Sequence, residues 1–211
     1  PGLCRLDPNT GIGDPTPAFT YCLNLAEVEV DTKTGKTTVL KFTCVDFVGR
    51  IGNIDAVNGQ AYSGIMHGIG FALKEDYADV KKHANMFGAG TSYIKDVPDD
   101  INLIHIDGAI SDGPFGSSGA SEAFQASGHC AVLNGIYNAC GVRIHEIPAL
   151  PEKVKAGLDA IAKGEKPYEP KKYFLGSDMY EELENIKENP VQVGTQSFYV
   201  SLDDPTAERP F

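Results

Sequence analysis

Residues Ala26–Leu40, AEVEVDTKTGKTTVL, carry the pattern that decides the fold. Val28 and Val30 alternate with charged neighbours, and Asp31-Thr32-Lys33-Thr34-Gly35-Lys36 is dense in turn formers. Thr37–Val45, TTVLKFTCV, is again rich in β-branched residues. Alternation, turn and alternation predict a β-hairpin, with Gly35 free to take the left-handed backbone that closes such a turn. The first strand reaches back to Phe19 through FTYCLNL, and the segment before it, PNTGIGDPTP (Pro8–Pro17), reads as an irregular entry.

Downstream of the hairpin, Ile54–Glu75 is rich in Ala, Ile, Met and Leu and predicts a helix, although it contains Gly59, Gly64, Gly68 and Gly70. Each of these costs about 1 kcal/mol relative to Ala, so something must compensate. Gln60, Ser63, Gly64, His67, Gly68 and Phe71 recur at three and four residues and share one side. A face of small residues admits either a second backbone or a flat ligand, and local pattern alone favours helix packing. Lys82–Asp100 reads as loop and Asn102–Asp107 as a short strand. The loop GPFGSSGASE (Gly113–Glu122) feeds an expected helix at Ala123–Ala139, followed by an expected strand at Val142–Ile147 and a helix at Pro151–Lys163 opened by its proline.

Hairpin strands followed by separate helices indicate an α+β fold, a hairpin and sheet packed with long Gly-rich and loop-capped helices. Residues 1–164 form the expected domain and 165–211 an extended C-terminal tail. The tail combines a Pro- and Lys-rich link (Lys166–Lys172), an acidic helix (Asp178–Asn189) and an extended arm (Val191–Phe211). It is too short to bury its own core, so the expectation is docking on another domain or subunit, anchored by Phe174, Phe198, Tyr199 and Phe211.

Composition narrows the function classes. The 211 residues carry 18 Lys+Arg against 29 Asp+Glu, a formal net charge of -11 and a pI of about 4.8. Such a surface repels phosphate backbones, which argues against a nucleic-acid partner. No apolar run approaches the roughly 20 residues that span a bilayer. The chain starts Pro1-Gly2-Leu3, with neither an initiator Met nor a signal-peptide pattern, as a segment of a longer chain or a processed protein would. Five cysteines (Cys4, Cys22, Cys44, Cys130, Cys140) without a CxxC pair read as free thiols in a reducing compartment. The expected location is therefore the cytoplasm, with the periplasm left open. A zinc ribbon or an iron–sulfur site built from this chain alone is unsupported. His67, His83, His105, His129 and His145 show no ligand spacing.

The sharpest chemical feature is the junction Gly116–Glu122. Glycines and serines ahead of a helix offer unpaired N–H groups to an anion, and the helix dipole favours negative charge at Glu122. Locally, an N-cap at Ser118 or Ser121 followed by an ordinary first-turn acid explains the pattern as well or better. A serine-hydrolase reading fails because no G-x-S-x-G elbow exists. GIGD at Gly11 lacks the third glycine and the helix of a dinucleotide fingerprint.

Four blocks in order resemble the C-terminal part of the molybdopterin-binding region of the molybdenum hydroxylases, the xanthine oxidase and aldehyde oxidoreductase family. AEVEVDTKTGKTTVL resembles the family's E-V-E-V-D-x-x-T-G strand pair, and VGRIGN (Val48–Asn53) its D-V-G-x-x-x-N-P segment. GQAYSGIMHGIGFALKE (Gly59–Glu75) resembles its G-Q-x-x-G-x-x-x-x-G-x-G helix. GPFGSSGASE, with AVLNGIYNACGVR (Ala131–Arg143) and LPEKV (Leu150–Val154), resembles the signature around its catalytic Glu. The chain departs from the pattern at Phe47, at Ile54 and at Ala123-Phe124, where purine oxidases carry Pro-Pro.

The resemblance implies a fragment of a molybdenum aldehyde oxidoreductase that makes carboxylic acids with water as oxygen source. Glu122 would be the base that activates the molybdenum-bound hydroxyl, and the metal, held by the cofactor's dithiolene, would need no protein ligand. Gln60 would hydrogen-bond the cofactor near the metal, Ser118, Gly119, Ala120 and Ser121 would lie against the metal centre and pterin, and Gly52 and Asn53 would line the dinucleotide. The implied cofactor is molybdopterin cytosine dinucleotide with molybdenum, with 2Fe–2S clusters elsewhere in the enzyme. The implied partners are the remainder of the large catalytic chain, a small aldehyde, and further copies in a homo-oligomer. A hydroxylase of N-heterocycles and a non-catalytic cofactor-binding or assembly module are the alternatives.

Overall fold

A computed structural model describes residues 6–7, 9–13, 18–79 and 81–165. The expected tail beyond residue 165 lies outside them. Three strands form a mixed sheet of order β1-β2-β3: β1 (Tyr21–Val30), β2 (Thr37–Phe47) and β3 (Asp100–His105). β1 and β2 are the antiparallel hairpin, and β3 runs parallel to β2. The turn is held by its own chemistry. Asp31 Oδ1 accepts from the Lys33 N–H at 2.8 Å, Asp31 Oδ2 from the Thr34 hydroxyl at 2.8 Å, and Gly35 closes the turn at φ +76°. These bonds, the Lys33 N–H foremost, hold the Asp31 carboxyl below its ordinary pKa.

Helix α1 (Ile54–Leu73) starts where Asn53 Oδ1 accepts from the Ala56 N–H at 3.0 Å. Its buried residues, among them Ala61, Ile65, Ile69 and Ala72, pack with Val39, Phe42 and Cys44 of β2 and with Phe124 and Val132 in the main core. A second cluster of Ile136, Ala149 and Val154 joins α3 (Gly128–Cys140) to α4 (Pro151–Ala162). The helices cover one face of the sheet. On the other face Tyr21, Leu23, Leu25 and Ile104 remain exposed.

Two expectations are corrected. The helix expected over Ala123–Ala139 is two helices, α2 (Glu122–Ala126) and α3, broken at Ser127. The break lets two backbones meet, since a Cβ on Gly68 would stand 3.0 Å from Gly128 Cα. Val142–Ile147 is not a strand. Its β-branched residues pack against helices instead: Val142 is buried against Gly157 of α4, and Ile144 joins the second cluster.

Candidate active site

Glu122 is the first residue of α2 and is exposed. Ser121 precedes it at the N-cap position but makes no capping bond. Its hydroxyl instead donates to Gln60 Oε1 of α1 at 2.7 Å, across a sequence separation of 61 residues. The Ser118 hydroxyl stands 2.7 Å from Thr20 Oγ1. The capping account of these serines therefore does not describe the structure.

Three further ties position the loop. An isolated bridge joins Gly49 to Ser117, with the Arg50 N–H donating to Gly116 O at 2.8 Å and the Ser118 N–H to Val48 O at 2.9 Å. Gly49 sits at φ +75°, and a Cβ there would stand 2.3 Å from Gly116 O, so both conformation and space demand glycine. From the residue just before β1, the Thr20 hydroxyl donates to Gly119 O at 2.5 Å. Asn24 Nδ2 donates to Phe124 O at 3.2 Å and to Ser127 Oγ at 3.0 Å, holding the carbonyl and hydroxyl released by the α2–α3 break. The segment carrying Glu122 is thus tied on one side to Thr20, just ahead of β1, and on the other to Asn24 within it. The structure brings Gln60, Ser118, Gly119, Ala120, Ser121 and Glu122 together, and places Gly52 and Asn53 at the N-terminus of the same α1, about two turns before Gln60.

The glycines of α1 divide into two sets. A Cβ on Gly64 would stand 2.6 Å from Phe124 Cβ, one on Gly68 would meet Gly128, and one on Gly70 would meet the Glu75 carboxylate at 2.2 Å. These three serve packing, the use that the local pattern favoured. Gly59 differs: apart from its chain neighbours and its own helix backbone, no atom lies within 4 Å of the place its Cβ would take, and Gly52 and Gly119 are open in the same way. Beside Glu122, Phe71, Gln125, Ala126 and His129 complete the lining of an open cavity of about 230 Å³.

Sequence reasoning missed Thr20 and Asn24, and also the cluster under the start of α1. There Asp46, 1% exposed, contacts His105 Nδ1 at 2.7 Å, while His105 Nε2 stands 2.7 Å from Asn58 Oδ1. Burial raises the Asp46 pKa, opposed by the His105 contact. A signal existed for Thr20 and Asn24: both share the parity of the inward Val28 and Val30, whereas Leu23 and Leu25 fall on the exposed face.

Known proteins place this geometry. The molybdopterin cofactor-binding domain family matches residues 3–98. The aldehyde oxidoreductase of Megalodesulfovibrio gigas is 44% identical over 159 residues, which is 75% of this chain and 18% of that protein. The crystal structure of the aldehyde oxidoreductase from Desulfovibrio desulfuricans ATCC 27774 superposes with a TM-score of 0.68 at 47% identity, covering 72% of this chain and 17% of that one. The probable hypoxanthine oxidase XdhD of Escherichia coli (strain K12) is 30% identical over 70% of this chain and 16% of its own length. The chain belongs to the molybdenum hydroxylase family, as a segment related to the bacterial aldehyde oxidoreductases. It spans less than a fifth of the length of these relatives. No helix among the described residues is long and apolar enough to cross a membrane.

Proposed function

We propose that this segment, residues 1–164 above all, forms one wall of the active site of a molybdenum enzyme that oxidises aldehydes to carboxylic acids, with Glu122 as its base. The observation that carries the reading is the 2.7 Å bond from Ser121 Oγ to Gln60 Oε1, which sets an amide and a carboxylate beside a strip of open backbone.

The residues present fit a pterin. Gly52, Gly59 and Gly119 leave space that side chains would fill. With Gln60 Oε1 engaged by Ser121, the Gln60 NH₂ group has two N–H donors to offer a heteroaromatic edge. Ser118, Gly119, Ala120 and Ser121 would lie along the metal end, and Gly52 and Asn53 along the dinucleotide, of the cytosine form. When bound, the cofactor supplies two-electron redox chemistry at a molybdenum held by its own dithiolene. Glu122 takes the proton from the oxygen that attacks the substrate carbon, a role that typically contributes on the order of 10²–10⁴ in rate. The Thr20 and Asn24 bonds fix the backbone on either side of that carboxylate. The 2Fe–2S clusters that remove electrons belong to the remainder of the large chain, and the full enzyme is a homo-oligomer.

Aldehydes are favoured over N-heterocycles by two facts. The 44% and 47% identical relatives are aldehyde oxidoreductases. Phe124 is fully buried under α1, which leaves Ala123 as the small neighbour of the base. The test is Glu122→Gln in the intact enzyme, with aldehydes and purines as substrates. Turnover of aldehydes should fall by on the order of 10² or more with molybdenum content retained, and the loss should lie in kcat rather than KM. A variant with full cofactor and near-normal kcat would return Glu122 to a plain helix-start acid. Preferential turnover of purines by the wild type would reassign the substrate class.

A further inference from the structure

Cys22 of β1 and Cys44 of β2 share the inner face of the sheet, and their sulfurs stand 3.4 Å apart. Cys44 is fully buried, whereas Cys22 is partly exposed. The other described thiols are apart from this pair: Cys130 is exposed, and Cys140 donates to Ile136 O at 3.2 Å. We propose that Cys22 and Cys44 form a redox-modification site, a thiol pair that closes to a disulfide by exchange with a low-molecular-weight disulfide.

The two thiols are unequal in the way such an exchange requires. The sulfur–sulfur contact is within hydrogen-bond distance, and with Cys44 as its donor it lowers the Cys22 pKa. The same bond, together with burial, pushes Cys44 up. Cys22, the member of the pair that a small disulfide can reach, is the attacking thiolate, and Cys44 is shut in behind it. It displaces one thiolate from the small disulfide and is left as a mixed disulfide. The Cys44 sulfur, losing its proton as it attacks, then displaces the second thiolate. Two protein thiols are oxidised by two electrons and one small disulfide is reduced to two thiols, with the released protons taken up by the leaving thiolates.

Register makes the resulting bond strained. Cys22 lies opposite Asp46 and Cys44 opposite Asn24, so the cysteines are diagonal neighbours. Diagonal positions lie roughly 7–8 Å apart between Cα atoms, beyond the roughly 4.4–6.8 Å usual for a disulfide. Closure must draw β1 and β2 together there, and a strained bond is readily reduced again. The strain falls beside Asn24, which receives a weak 3.9 Å contact from Cys22 Sγ and holds Phe124 O and Ser127 Oγ at the α2–α3 break. An effect on turnover rests on the reading of Glu122 given above, whereas the disulfide does not.

The experiment treats the intact enzyme with oxidised glutathione in the absence of substrate, alkylates free thiols, and maps the peptides. The expected result is a Cys22–Cys44 linked peptide, removed by dithiothreitol, with a several-fold loss of turnover that recovers on reduction. The Cys44→Ala variant should instead retain glutathione on Cys22. Full alkylation of Cys22 and Cys44 after oxidation would overturn the proposal, and so would a bond from Cys22 to Cys4, Cys130 or Cys140. A linked peptide with unchanged turnover would leave the modification site standing and overturn the coupling through Asn24. The mapping needs neither a variant nor activity, so failure of the Glu122 reading shows separately, in Glu122→Gln.

Discussion

The two halves of α1 use glycine for opposite ends. In the C-terminal half, Gly64, Gly68 and Gly70 are buried and pressed by Phe124, by Gly128 and by the Glu75 carboxylate. In the N-terminal half, Gly59 is exposed and meets nothing, one residue from Gln60. The missing side chain admits protein in the first case and leaves room for a ligand in the second. A small-residue stripe is therefore not one signal. What approaches each glycine depends on which strand or helix the fold brings there.

The comparison breaks most visibly at Gly64. Gly64→Ala must push Phe124 Cβ, 2.6 Å from the new methyl, and the Gln125 backbone nitrogen at 2.9 Å, and so displace the short helix that starts with Glu122. Overpacking of this kind costs about 1–3 kcal/mol, offset in part by the roughly 1 kcal/mol that Ala gains over Gly in a helix. Thermal melts should show a lower Tm and turnover should fall. An unchanged Tm would mean that α2 is free to move and that Gly64 is not a packing residue.

Asn24→Ala comes next. It removes both donors at the α2–α3 break and leaves Phe124 O without its side-chain partner, at about 1–3 kcal/mol for an unsatisfied buried group. If Asn24 positions the base, kcat should fall while KM stays, and Asn24→Gln should not restore kcat. A rise in KM alone would point to substrate binding instead.

Gln60→Ala probes the open half. A hydrogen bond between neutral groups contributes about 0.5–1.5 kcal/mol, so Tm should move little while molybdenum content or its spectroscopic signal changes. Equal metal content with an identical signal would remove Gln60 from the cofactor site.

The smallest effect is expected at Gly59. Gly59→Ala should raise Tm of the cofactor-free protein, by up to about 1 kcal/mol of stability, because Ala is the better helix former and no protein atom opposes it. The same methyl should lower cofactor occupancy if a pterin lies over that turn. Higher stability with full occupancy would show the space to be solvent and leave the two halves of α1 different only in exposure.

Much of this was legible because the causes are local. The hairpin follows from alternation, from Asp31 accepting from residues two and three positions on, and from Gly35 at positive φ. The start of α4 follows from Pro151, and α1 is legible from its composition, with the Asn53 cap added by the structure within the first turn. Glu122 and Gln60 stood out by resemblance, and the residue pattern alone left both with ordinary readings.

What only the tertiary structure decided depends on partners far along the chain. The break at Ser127 answers to Gly68 and to Asn24, the latter 103 residues away. Val142 and Ile144 have strand-forming side chains, yet α4 and the second core cluster take them up. Ser121 has the identity of an N-cap, and its hydroxyl goes to Gln60, 61 residues earlier. A side chain offers the same donors and the same volume in any fold, and the competition among the groups that reach it is settled only when distant segments are brought within a few ångströms.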